Sequence, residues 1–149
     1  MNAQSTSQIQ TSSQTAHIDT KYERLLRRAM RANAGFSGVS GLISLLGANE
    51  LVAFTGIPEA IVFRVLGVVL ILYAADLFWI TSREKVNVWF GITAVFLDIA
   101  WVIGSIILLL GNFIPLTTAG KWTILLLAEV VSIFALVQGF AVWKIRQNQ

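Results

Sequence analysis

Four long apolar runs separated by short polar breaks set the rhythm of the chain: about residues 33–53, 60–80, 88–110 and 119–142. Crossing roughly 30 Å of hydrocarbon at about 1.5 Å per helical residue takes about 20 apolar residues, and each run reaches that length. The pattern predicts an all-α polytopic integral membrane protein, a four-helix transmembrane bundle. The breaks carry the chemistry that stops and starts helices. Gly47-Ala48-Asn49-Glu50 closes the first run, and Pro58 and Glu59 stand where a first helical turn tolerates a missing N–H and favours an anion. Gly111 and Asn112 close the third run, Pro115 prevents its continuation, and Thr117 or Thr118 can cap the fourth helix.

The ends are different. Residues 1–20 are rich in Gln, Ser and Thr, hold the only histidine (His17), and are too poor in large apolar side chains to offset the entropy of ordering, so a disordered tail is expected. About thirty mostly polar residues precede the first apolar run, unlike a secretory signal, so the first span is expected to remain in the mature protein. Residues 21–31, KYERLLRRAMR, set cations between Tyr22, Leu25, Leu26 and Met30 at helical spacing, which predicts a basic amphipathic juxtamembrane helix leading into the transmembrane domain over 32–146.

Charge then orients the bundle. Lys21, Arg24, Arg27, Arg28, Arg31, Arg83, Lys85, Lys144 and Arg146 fall at one membrane side and Lys121 alone at the other, which predicts both termini in the cytoplasm of a bacterial-type plasma (inner) membrane. Trp79, Trp89 and Trp143 fall near the inner interface and Trp122 near the outer one, whereas Trp101 lies near the middle of its span. With 56% hydrophobic and 13% charged residues and a mean hydropathy of +0.72, the polar remainder is too small for a second folded domain. The net charge of +3 is accounted for by membrane edges, so the expected surroundings are the lipid bilayer and no nucleic acid.

Within the apolar runs sit four ionisable residues, Arg64, Asp76, Asp98 and Glu129, and an ionisable group at membrane depth is a functional hypothesis by default. Asp98 falls near the midplane, in line with Gly91, Ala94, Val102 and Ser105 on one helical face, so it is expected to point into the bundle. Arg64 is expected to reach Glu129 or Asp98, and Asp76 to find Ser37 or Ser40, a water or a proton of its own, so that none of the four faces lipid. One cation among three carboxylates implies that at least one carboxyl carries a proton at neutral pH. Asp76-Leu-Phe-Trp79 and Asp98-Ile-Ala-Trp101 repeat a short pattern that an inverted repeat would produce.

The first span is dense in small residues, Ser37, Gly38, Ser40, Gly41 and Ser44, a face suited to close helix packing or to a polar cavity wall. Tyr73, Phe96 and Trp101 are candidate contacts for an apolar ligand. With no cysteine and no intramembrane histidine, the usual metal, haem and thiol chemistries lack ligands, and there is no Gly-rich phosphate loop, so no metal, no cofactor and no enzymatic activity are expected. In size, number of spans and short loops over residues 30–146 the chain resembles the small four-span bacterial membrane proteins of the DoxX-like kind, a resemblance of format that transfers no site residues. The first reading is a structural or accessory membrane protein that forms a homo-oligomer or docks as a subunit of a membrane complex. The second is a small oligomeric proton-linked transporter using the intramembrane carboxylates. The third is a binder of an apolar cofactor such as a quinone or carotenoid.

Overall fold

The computed structural model describes residues 3–83, 87–111 and 113–147, with side chains from residue 21 onward, so Glu84, Lys85 and Asn112 lie outside the described residues. Among the described residues it is all-α, with five helices: α1 (Ala3–Leu46), α2 (Ala48–Thr55), α3 (Ala60–Thr81), α4 (Val88–Leu110) and α5 (Thr118–Gln147). Three of these, α3, α4 and α5, are each long and apolar enough to cross a membrane. Their boundaries follow the last three apolar runs to within a few residues.

The first run behaves differently. Instead of one straight span over 33–53, α1 stops at Leu46 and α2 leaves it at 91°. The break falls at Gly47, whose φ of −97° and ψ of 24° leave helical geometry. Glycine is the residue least costly to distort there, and Ala48 beyond it is buried against Ile57 and Phe63. The apolar residues Leu51 and Val52 thus cover one end of the bundle instead of extending the span. The 14 residues from Asn33 to Leu46 reach only about 21 Å, and the basic segment before them continues the same helix. Leu26 and Met30 of that segment are fully buried, in a cluster with Leu77, Ala94, Ala141 and Ile145. Toward its start α1 continues to Ala3, through the stretch where composition predicts disorder; no Gly or Pro occurs before Gly35 to interrupt it.

Packing is built on small residues, as expected where lipid is as apolar as any side chain. A Cβ on Gly67 would lie 2.7 Å from the carbonyl oxygen of Gly41, so α1 and α3 meet almost backbone to backbone. The buried face of α4 is Gly91, Ala94, Asp98 and Ser105, the face its spacing predicts. Apolar bulk is turned outward: Leu72, Leu126 and Leu136 are 64%, 62% and 73% exposed, the inverse of a water-soluble core. Around this arrangement α1 packs against α3 and α5, and α5 packs against α4. Between α3 and α4 there is no extended contact among the described residues.

Both ends are tied. Thr117 caps α5, accepting the Gly120 N–H at 2.9 Å, and its own N–H and hydroxyl bind the Thr55 and Phe54 carbonyls at 2.9 and 2.6 Å. Gly56 makes this corner possible with φ of 83°, its α-carbon facing the backbone of Pro115 and Leu116. Gly56→Ala is expected to destabilise the protein by about 2 kcal/mol, read as an earlier midpoint in detergent unfolding, because it adds left-handed strain and a backbone clash. At the other end Arg27 and Arg31 both donate to the Thr81 carbonyl, which closes α3 onto α1.

Candidate functional site

Asp98 lies at the meeting point of all four long helices and is 3% exposed. Asn33 of α1 donates through Nδ2 to both carboxylate oxygens, at 3.0 and 2.8 Å. Tyr73 of α3 donates its hydroxyl to Oδ1 at 3.1 Å, and Gln138 of α5 donates Nε2 to Oδ2 at 3.0 Å. Ser37 supports the arrangement from below, its hydroxyl donating to Asn33 Oδ1 at 3.2 Å. Asn33 and Gln138 are buried to 1% and 0% exposure. The spacing of Gly91, Ala94, Asp98 and Ser105 explains why Asp98 faces inward; the amides reach it because α1 and α5 both flank the centre. Every hydrogen bond around the carboxylate is donated to it by a neutral group, and among the described residues no Lys or Arg approaches it.

Beside this constellation is a cleft of about 260 Å³, in which Asp98 and Tyr73 are joined by Phe36, Ser37, Ser40, Ser44, Leu70, Trp101, Leu127 and Val131. Its mouth lies along the seam where α3 and α4 fail to pack, between Val69 and Leu97, which are 55% and 47% exposed. The small-residue face of α1 is divided by it. Gly38 and Gly41 pack against Ala74 and Gly67 of α3, while Ser37, Ser40 and Ser44 form the cleft wall. That face is therefore occupied within the chain. Two buried polar atoms near the floor, Trp101 Nε1 and Gln138 Oε1, have no hydrogen-bond partner among the described residues.

Comparison of the chain with protein-family models, with curated proteins and with solved structures yields no match.

The four intramembrane charges separate. Only Asp98 is inside; Arg64, Asp76 and Glu129 are exposed on the bundle surface, without an ion-pair partner among the described residues. The expected pairing of Arg64 with Glu129 or Asp98 does not form, and neither does the turn of Asp76 toward Ser37 or Ser40. Helical geometry gives the reason. Arg64 precedes Tyr73 by nine residues and Glu129 precedes Gln138 by nine, in each case about 180° around the helix, so each points away from the side chain that faces Asp98. Arg64 stands one turn from the start of α3, where its long side chain can reach an interface. The two Asp-x-x-Trp copies also have unlike surroundings, since Asp76 and Trp79 are exposed whereas Asp98 is buried and Trp101 lines the cleft. Trp79, Trp89, Trp122 and Trp143 are 58%, 72%, 60% and 52% exposed, as interfacial tryptophans are.

Of the candidate ligand contacts, Tyr73 and Trp101 line the cleft but Phe96 does not; it is 70% exposed and faces outward, two residues off the face of Asp98. Phe36 takes its place. Asn33 and Gln138 were not legible as site residues, because an amide at the edge of one apolar run and another inside a second gain meaning only once the helices are paired. Among the described residues, no group of three or more His, Cys, Asp or Glu side chains could hold a metal ion.

Proposed function

We propose that this small multi-span membrane protein takes up an amphipathic small molecule from the bilayer through the seam between α3 and α4. Its apolar body lies in the cleft and its polar group at Asp98. One observation carries this reading: a buried carboxylate, held by side chains of the other three long helices, stands at the floor of an apolar cleft whose mouth is a gap between two helices. Ligand pockets are typically concave and apolar with a few convergent polar groups, and this cleft has that composition. The seam gives direct entry from lipid, so no aqueous route is needed. In this reading α1 makes a fourth crossing and α2 covers its end. The cation asymmetry puts both termini on the cytoplasmic side of a bacterial-type plasma membrane, with the Asp98 constellation within the hydrocarbon.

The test is organic extraction and mass spectrometry of the full chain purified in mild detergent, beside Ser40→Phe purified in parallel. The wild type is expected to carry a small molecule in near-stoichiometric amount that Ser40→Phe, with its cleft filled, lacks. Identical extracts from the two would contradict the reading. The accessory-subunit reading is favoured by a different observation, the outward placement of Glu129 well inside α5, where an ionised carboxylate facing lipid costs about 2.5–3.5 kcal/mol and a second membrane helix could relieve that cost. It predicts no cleft ligand, so the same extraction separates the two.

A further inference from the structure

We infer that the ligand of this cleft is an organic cation with an apolar, aromatic-compatible body, such as a hydrophobic quaternary ammonium. The inference rests on the cleft being a binding site and adds the sign of the ligand's charge. Three observations point to it. Asp98 at the floor receives four hydrogen bonds from three neutral side chains, so the ionised carboxylate that a bound cation would select is already well held, and among the described residues no cation of the bundle matches it. The nearest candidate cation on α3, Arg64, stands on the opposite side of that helix from Tyr73. Asp76, three residues beyond Tyr73 and seven beyond Val69, continues the cleft-lining stripe of α3 by one turn, and it too is a carboxylate.

The two carboxylates on this side of the bundle, Asp98 at the floor and Asp76 one turn along the seam, therefore both favour positive charge. Among the described residues no Lys or Arg lines the cleft, and the walls include the aromatic rings of Phe36, Tyr73 and Trp101. A cation inside a low-dielectric cavity gains from both features, since a nearby carboxylate and an aromatic face each attract positive charge. A quaternary ammonium suits the site for a further reason. The three donors already occupy the Asp98 oxygens, and a quaternary group needs charge contact but no acceptor. An anionic ligand would meet two carboxylates, and a neutral one would gain nothing from their charge.

The experiment is calorimetric titration of the purified full chain in detergent, with a protein-free micelle blank, using benzyltrimethylammonium and its uncharged carbon isostere neopentylbenzene. The wild type is expected to bind the cation at least tenfold more tightly than the isostere. Asp98→Asn, which keeps the side chain's shape, is expected to lose most of that preference, down to the two- to fivefold that Asp76 supplies, and helicity by circular dichroism confirms that it is folded. Asp76→Asn provides a second variant that leaves the buried constellation intact, and is expected to reduce cation binding two- to fivefold. Equal binding of the two compounds by the wild type would overturn the charge assignment while leaving the cleft reading in place. Binding of neither, or binding that persists unchanged when Ser40→Phe fills the cleft, would overturn both.

Discussion

Asp98→Ala is expected to destabilise the bundle by about 2–4 kcal/mol, whereas Asp98→Asn changes stability by less than about 1 kcal/mol. The alanine removes the acceptor shared by Asn33, Tyr73 and Gln138, three donors on three different helices. Each stranded buried polar group costs about 1–3 kcal/mol in a protein interior, while interhelical hydrogen bonds in membranes average nearer 0.6 kcal/mol, and the expected range lies between those limits. Asparagine retains one acceptor and adds donors, which the Asn33 and Gln138 amides can meet by turning over. The measurement is reversible unfolding in mixed detergent micelles. Asp76→Ala and Glu129→Ala serve as controls, since both carboxylates are exposed and lack a partner among the described residues. If Asp98→Ala were no more harmful than Asp76→Ala, the constellation would not be a packing centre, and its role in holding four helices around the cleft would fall.

Gly67→Leu is expected to have the other large effect, separating α1 from α3. Even a single added carbon at Gly67 would lie 2.7 Å from Gly41 O and 2.7 Å from the Leu45 backbone nitrogen, atoms that cannot move without shifting a helix. Gly67→Ala should therefore cost about 1–3 kcal/mol, the usual range for overpacking, and leucine more. Gly104→Ala is the matched control, because a Cβ there meets nothing within 4 Å, and alanine raises helix propensity in the same kind of apolar run. Unfolding midpoints of the three variants test this directly. Cysteine cross-linking between positions 38 and 74, beside the Gly38–Ala74 contact, would show whether α1 and α3 have parted. A Gly67→Ala protein as stable as Gly104→Ala would mean that the backbone contact between these helices is looser than described.

The two sets of variants bear on function in different ways. Loss of the α1–α3 contact widens the cleft from the wall opposite its mouth, whereas loss of the Asp98 network removes its polar floor. Because Ser37, Ser40 and Ser44 sit beside the glycines of α1, the same short stretch of helix both fixes the distance to α3 and lines the cavity. A substitution in this stretch is therefore expected to couple stability and ligand binding, while Leu126 or Leu136 on the outer surface should tolerate any apolar residue.

Hydropathy alone determined that the chain forms long helices suited to a bilayer, and it located α3, α4 and α5, because burying an unpaired backbone in hydrocarbon is so costly that length and apolarity leave few alternatives. Spacing within one helix also determined that Asp98 belongs with Gly91, Ala94 and Ser105 on an inward face, since that argument needs only the 3.6-residue period. Three things were left to tertiary structure. The bend at Gly47 depended on Leu51, Val52 and Ala48 finding the Phe63 and Ile114 side chains, contacts between distant parts of the chain. The fate of Arg64, Asp76 and Glu129 depended on how each helix is rotated about its axis, and in an apolar run that is nearly uniform around its circumference the sequence gives little sign of that rotation. The partners of Asp98 depended on the pairing of α1 and α5 around it, which brings Asn33 and Gln138, 105 residues apart, onto one carboxylate.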